Sequence, residues 1–69
     1  MSNLYTRLVD LLNQKDFSVK EATYRLALKS RTHLHRVFTR NPKWKSIQSV
    51  REVFGFSRKE MIYWLLGDD

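Results

Sequence analysis

The sequence predicts an all-α fold, a compact bundle of about five short helices in a single domain that spans residues 1–69. Three observations predict this fold. Apolar residues recur three and four positions apart along five segments, which is helical spacing. One proline and two glycines leave few breaks in the chain. No segment has the pattern expected of a β-strand.

The first two predicted helices cover about residues 3–15 and 19–26. An apolar stripe defines the first helix, and it consists of Leu4, Leu8, Leu11 and Leu12, widened by Tyr5 and Val9. The second helix begins at a capping-box pattern, in which Ser18 and Glu21 each accept a hydrogen bond from the backbone amide of the other. Its predicted buried residues are Val19, Ala22 and Leu26.

The third and fourth predicted helices cover about residues 31–39 and 44–54. A turn at residues 27–29 precedes the third helix, Ser30 caps it, and its buried residues are Leu34, Val37 and Phe38. Pro42 disfavours helix at the residue before it, so a loop separates the two helices. The fourth helix is predicted to bury Trp44, Ile47, Val50, Val53 and Phe54. Gly55 ends it in a left-handed conformation.

The fifth predicted helix covers about residues 58–66, between a second capping box at Ser57 and Glu60 and a terminal Gly67. It is apolar on more than one side. If Met61, Leu65 and Leu66 face inward, Ile62, Tyr63 or Trp64 remains partly outside. Excess apolar surface on a small domain often marks a partner site. We therefore expect a homodimer through this helix, with an interface formed by Ile62, Tyr63 and Trp64.

The charge of the chain is strongly segregated. Thirteen Lys and Arg against seven Asp and Glu give a net charge of +6. Residues 22–51 contain no acidic residue and eight basic ones: Arg25, Lys29, Arg31, Arg36, Arg40, Lys43, Lys45 and Arg51. Such a field is typical of proteins that bind a polyanion, although a solubilising surface is the alternative interpretation.

Several classes of function are not expected. The chain has no cysteine, which excludes disulfides and thiolate metal sites. His33 and His35 point about 200° apart on a helix, a poor geometry for one metal ion. We see no nucleophile motif or phosphate-binding loop, so no enzyme, cofactor or small-molecule ligand is expected. Without a signal peptide or a membrane span, the expected location is cytoplasmic.

The pattern Pro42-x-Trp44-x-x-Ile47-x-x-Val50-x-x-x-Phe54-Gly55-Phe56-Ser57, followed by an apolar final helix, resembles the lambda-repressor-like helix-turn-helix family. This family is also called the Cro/CI or xenobiotic-response-element type. The resemblance covers about residues 4–67. The segment Ser30–Val37 is similar to the recognition helix of the family, and Ala27 stands where the family has a glycine in the turn. One extra residue in this turn, near Lys29, distinguishes the chain. The resemblance implies a divergent phage or plasmid regulator.

The resemblance also implies which residues contact double-stranded DNA. A recognition helix presents donors to base edges in the major groove. The candidates for base contacts are Arg31, Thr32, His33, His35 and Arg36. The start of this helix and the loop after it lie along the DNA backbone in the family, and the candidates for phosphate contacts are Lys29, Ser30, Arg40, Lys43 and Lys45.

The predicted function is therefore sequence-specific transcription regulation, by a Cro-like repressor that occupies its operator. Two alternatives stay open. The same fold could serve as a protein-interaction module, such as an antirepressor or an inhibitor of a DNA-processing enzyme. It could also bind nucleic acid, including RNA, without sequence preference. Trp44 and Trp64 could stack on single-stranded bases, although their spacing favours a core or subunit-interface position.

Overall fold

A computed structural model describes residues 3–40 and 42–67. Within these ranges the chain forms five helices and no strand: α1 (Leu4–Gln14), α2 (Val19–Arg25), α3 (Arg31–Thr39), α4 (Trp44–Phe54) and α5 (Arg58–Leu66). The prediction of an all-α bundle is confirmed, and every helix ends within one residue of its predicted bounds. None of the described helices has the length and apolar character that a membrane crossing requires.

Side-chain caps explain where the helices begin. The Ser30 hydroxyl accepts from the His33 amide at 3.2 Å and fixes the start of α3. The predicted capping box at Ser57 and Glu60 is complete in both directions. The one at the start of α2 is half formed. Ser18 accepts from the backbone amide three residues on, whereas the Glu21 carboxylate lies 3.3 Å from Arg25, one turn along the helix.

Trp64 lies at the centre of the core, completely buried. Its ring packs against Phe38 of α3, with centroids 5.5 Å apart, and its Nε1 donates to the Leu4 carbonyl at 2.9 Å. A second hydrogen bond connects α1 with α5, in which Arg7 Nε donates to the Trp64 carbonyl at 2.7 Å. The prediction that Trp64 contributes to an exposed dimer interface is therefore wrong. On a helix that is apolar on more than one side, the largest ring occupies the space between α1 and α3.

Three further burial predictions are wrong, and they concern the outer sides of α4 and α5. Trp44 and Val53 were expected in the core but are 64% and 37% exposed. Leu66 was expected inside and is 74% exposed. The buried stripe of α4 is narrow and consists of Ile47, Val50 and Phe54. Trp44 and Val53 lie about 90° to either side of this stripe, so the core does not enclose them.

The predicted turn at residues 27–29 is confirmed between α2 and α3. Ala27 has a left-handed backbone with φ +57°, and the Leu28 amide donates to the Thr23 carbonyl at 3.0 Å. Thr23 is buried, and its hydroxyl donates to the Val19 carbonyl at 2.8 Å. The turn is therefore tight, and α3 begins close to the end of α2 and packs against it.

Candidate nucleic-acid interface

The outer surface of α3 and the segments on either side of it form the candidate interface. Leu34 and Phe38 bury one side of this helix in the core, and Ser30 fixes its first turn. All ten residues predicted to contact DNA are exposed to solvent: Lys29, Ser30, Arg31, Thr32, His33, His35, Arg36, Arg40, Lys43 and Lys45. The exposure leaves each of these side chains accessible to a partner.

The five predicted base-contacting residues do not share one face of α3. A helix turns about 100° per residue, so Thr32 and Arg36 lie opposite the buried side. Arg31 and His35 lie along the edge next to α1, where they line a depression together with Thr32. His33 lies along the other edge, about 200° from Arg31. The structure thus brings Arg31, Thr32 and His35 together and separates His33 from them.

Six basic side chains of this surface make no ion pair with any described residue: Lys29, Arg31, Arg36, Arg40, Lys43 and Lys45. Two glutamates in the described ranges form ion pairs away from this surface. Glu60 lies 3.2 Å from Lys15, and Glu21 pairs with Arg25. The positive charge along α3 and the loop after it is therefore not neutralised by neighbouring carboxylates.

Tyr5 of α1 belongs to this surface, although the sequence placed it only in the apolar stripe of the first helix. Its ring meets the His35 imidazole edge to face, with centroids 4.7 Å apart and an interplanar angle of 66°. The ring is half-buried against the core. No local pattern links two residues that are thirty positions apart, so the sequence offered no signal for this contact.

A second exposed feature is an apolar groove between α4 and α5, and no residue of α3 lines it. It encloses about 310 Å³ and is lined by Trp44, Arg51, Arg58, Met61, Ile62, Leu65 and Leu66. Of the three residues predicted for a dimer interface, Ile62 is 45% exposed and Trp64 is buried. Tyr63 is half-buried, and its hydroxyl donates to Asp10 at 3.1 Å. Trp64 is therefore excluded from a surface contact.

No family model matches the chain, and neither the curated proteins nor the solved structures include a significant match.

Proposed function

We propose that the protein binds double-stranded DNA in a sequence-specific manner and regulates transcription, as a Cro-like repressor that occupies its operator. In this proposal α2 and α3 form a helix-turn-helix, and α3 enters the major groove. The resemblance to the lambda-repressor-like family supports this assignment through the residues of the C-terminal half.

The exposed, unpaired basic surface of α3 and the following loop carries the proposal. Duplex DNA presents a dense row of phosphates, and each one neutralised by Lys or Arg releases a condensed counterion. Arg36 projects directly away from the core, and Arg40, Lys43 and Lys45 follow in the chain. In a duplex that lies against α3, Arg36 would thus be placed to donate to base edges, and Arg40, Lys43 and Lys45 would lie near the phosphates.

The connection between α2 and α3 supports a helix-turn-helix. Only Ala27, Leu28 and Lys29 separate the last capping residue of α2, Leu26, from the first one of α3, Ser30. A turn of three or four residues is typical of the motif, which often has a glycine there. Ala27 has a left-handed backbone, a conformation that glycine adopts more easily than other residues do.

A homodimer is the second part of the proposal, with the interface moved to the exposed residues of the apolar groove. Trp44, Ile62 and Leu66 replace the predicted set, because Trp64 is buried. A second copy with two-fold symmetry would place two recognition helices on half-sites about 34 Å apart. Sedimentation equilibrium at tens of micromolar tests this part. A monomer alone would overturn it, and Ile62→Glu should separate a dimer into monomers.

Selection from a random duplex library at two salt concentrations, followed by sequencing, tests DNA recognition. The proposal expects an enriched motif, in the form of an inverted repeat if the protein is dimeric. Binding without enrichment, weakened sharply by salt, would replace it with a non-specific nucleic-acid binder. Absence of binding at low salt would overturn it and favour an acidic protein as the partner of the basic surface.

A pair of matched variants locates the interface. Arg36→Ala and Lys59→Ala each remove one exposed cation, from α3 and from α5 respectively. A base-contacting Arg36 predicts that its loss relaxes the preference at one position of the motif, by about 1–3 kcal/mol. Lys59→Ala should leave the motif unchanged. Equal binding by both variants would remove α3 from the interface.

A further inference from the structure

A polar depression lies where the first turn of α1 meets the first turn of α3, at the edge of the basic surface. Four side chains line it: Tyr5, Arg31, Thr32 and His35. Each of the four can donate a hydrogen bond, and Arg31 adds a positive charge. No carboxylate lines the depression, so its chemistry favours a ligand that only accepts hydrogen bonds and carries negative charge.

The contact between Tyr5 and His35 gives this depression a fixed wall. The half-buried Tyr5 ring is held against the core, and the edge-to-face contact at 4.7 Å restricts the imidazole of His35. The Tyr5 hydroxyl has no hydrogen-bond partner among the described residues. A donor is thus held at the rim by packing and is left available to a ligand, at little further cost in side-chain entropy.

The position of the depression on α3 indicates what it would meet. Arg31 and His35 lie along the edge of the helix next to α1, whereas Thr32 and Arg36 lie opposite the buried side. When a helix lies in the major groove, residues at its outermost face approach the bases. Residues at an edge flanked by another helix approach the sugar–phosphate backbone that borders the groove.

We infer that Tyr5, Arg31 and His35 bind a backbone phosphate of the DNA, and that Thr32 and Arg36 read the bases. This inference rests on the proposed function and deepens it. It moves Arg31 and His35 from base recognition to phosphate contact, and it adds Tyr5 of α1 to the interface. Tyr5 has two roles, as a donor to the phosphate and as the residue that positions His35.

Two variants test the inference, each through the motif from library selection and the affinity over a salt titration. Tyr5→Phe keeps the ring and removes only the hydroxyl. It should weaken binding about 3- to 10-fold, the effect of one lost hydrogen bond, with the motif and the salt dependence unchanged. Arg31→Ala should weaken binding to all sequences alike. It should also lower the slope of log affinity against log salt by about 1.

The control is Tyr24→Phe, which removes a hydroxyl from a side chain of α2 that is 85% exposed. It should bind like the wild type, and thermal melts should show that all three variants are folded. Equal affinity of Tyr5→Phe and Tyr24→Phe would overturn the assignment of Tyr5. A changed base preference in Arg31→Ala would return Arg31 to base recognition. If the wild-type chain binds no DNA, the proposed function itself fails, a result that is distinct from both.

Discussion

Ala27 shows how a single residue in the turn between α2 and α3 limits the stability of the domain. Its φ of +57° lies in the left-handed region, which costs a residue with a Cβ about 1–2 kcal/mol. The turn requires this conformation, because the next amide donates back to the Thr23 carbonyl. The residue type therefore conflicts with the backbone, and glycine would remove the conflict.

We predict that Ala27→Gly stabilises the protein. The relief of the left-handed strain exceeds the extra entropy of glycine in the unfolded chain, about 0.5–1 kcal/mol, so a net gain of about 0.5–1 kcal/mol is expected. Urea denaturation measures it. The control is Ala22→Gly, inside α2 and fully buried, which should destabilise. An Ala27→Gly midpoint at or below that of the wild type would contradict the prediction.

The two tryptophans differ in environment and can be separated by fluorescence. Trp64 is fully buried and Trp44 is 64% exposed. We predict that Trp44→Phe leaves one emitting ring that acrylamide quenches weakly, with little change in stability. At concentrations where the protein is monomeric, Trp64→Phe should leave strongly quenched emission from Trp44. It should also destabilise the fold, since it removes the donor to the Leu4 carbonyl. Strong quenching of Trp44→Phe would contradict the burial of Trp64.

At the scale of the elements, Glu60 joins the start of α5 to the end of α1. Its carboxylate accepts from the Ser57 amide at 2.8 Å and lies 3.2 Å from Lys15 Nζ. The hydrogen bond from the Ser57 amide, with help from Lys15, lowers the pKa of Glu60 below its ordinary value of 4.5. The folded state therefore prefers the ionised carboxylate.

This preference predicts a loss of stability in acid. Because the folded pKa is depressed, the stabilisation is complete above about pH 4.5 and is lost as the pH falls below 4.5 through the folded value. Glu60→Gln cannot ionise, so its deficit relative to the wild type should shrink between pH 7 and pH 3 in denaturation experiments. The control is Glu52→Gln on the exposed side of α4. A Glu60→Gln deficit that is independent of pH would contradict the prediction.

The five helices could be predicted from the sequence because their signals are local. A serine before a helix, a glutamate three residues on and a terminal glycine act within one turn, and the structure contains each at Ser57, Glu60 and Gly67. Burial was harder to predict. Helical spacing alone predicts burial for both Trp44 and Ile47. A side chain at the border of the apolar stripe of α4 is buried only where a neighbouring helix covers it, and Trp44 is 64% exposed.

The candidate site shows the same limit. Exposure of the predicted DNA-contacting residues follows from helix periodicity, since Leu34 and Phe38 fix the buried side of α3. The contact of Tyr5 with His35 depends on how α1 packs across α3. That packing is set by the whole core, with Trp64 at its centre, and no pattern in the sequence encodes it locally. The orientation of α3, and with it the contact of Tyr5 with His35 at the depression, depends on the three-dimensional packing.

At the scale of the whole molecule, the segregation of charge has an energetic consequence. A net charge of +6 on 69 residues opposes folding through self-repulsion. The pairs Lys15–Glu60 and Arg25–Glu21 relieve some of this on α1, α2 and α5. No described acid relieves it along α3 and the loop. Binding a polyanion at that surface would convert the repulsion into a favourable interaction.

The salt dependence of DNA binding should therefore be steep and should originate from this surface. With Arg36 assigned to the bases, engagement of the other five unpaired cations with phosphates predicts a log–log slope near −4.5, about −0.9 for each phosphate neutralised, and a loss of affinity of about 500-fold between 50 and 200 mM salt. Removing two of them in Lys43→Ala/Lys45→Ala should make the slope shallower by about 2. Lys59→Ala, which removes a cation from α5, should leave the slope unchanged. If the loop variant kept the wild-type slope and Lys59→Ala did not, the phosphate contacts would lie on α5, and α3 would face away from the duplex.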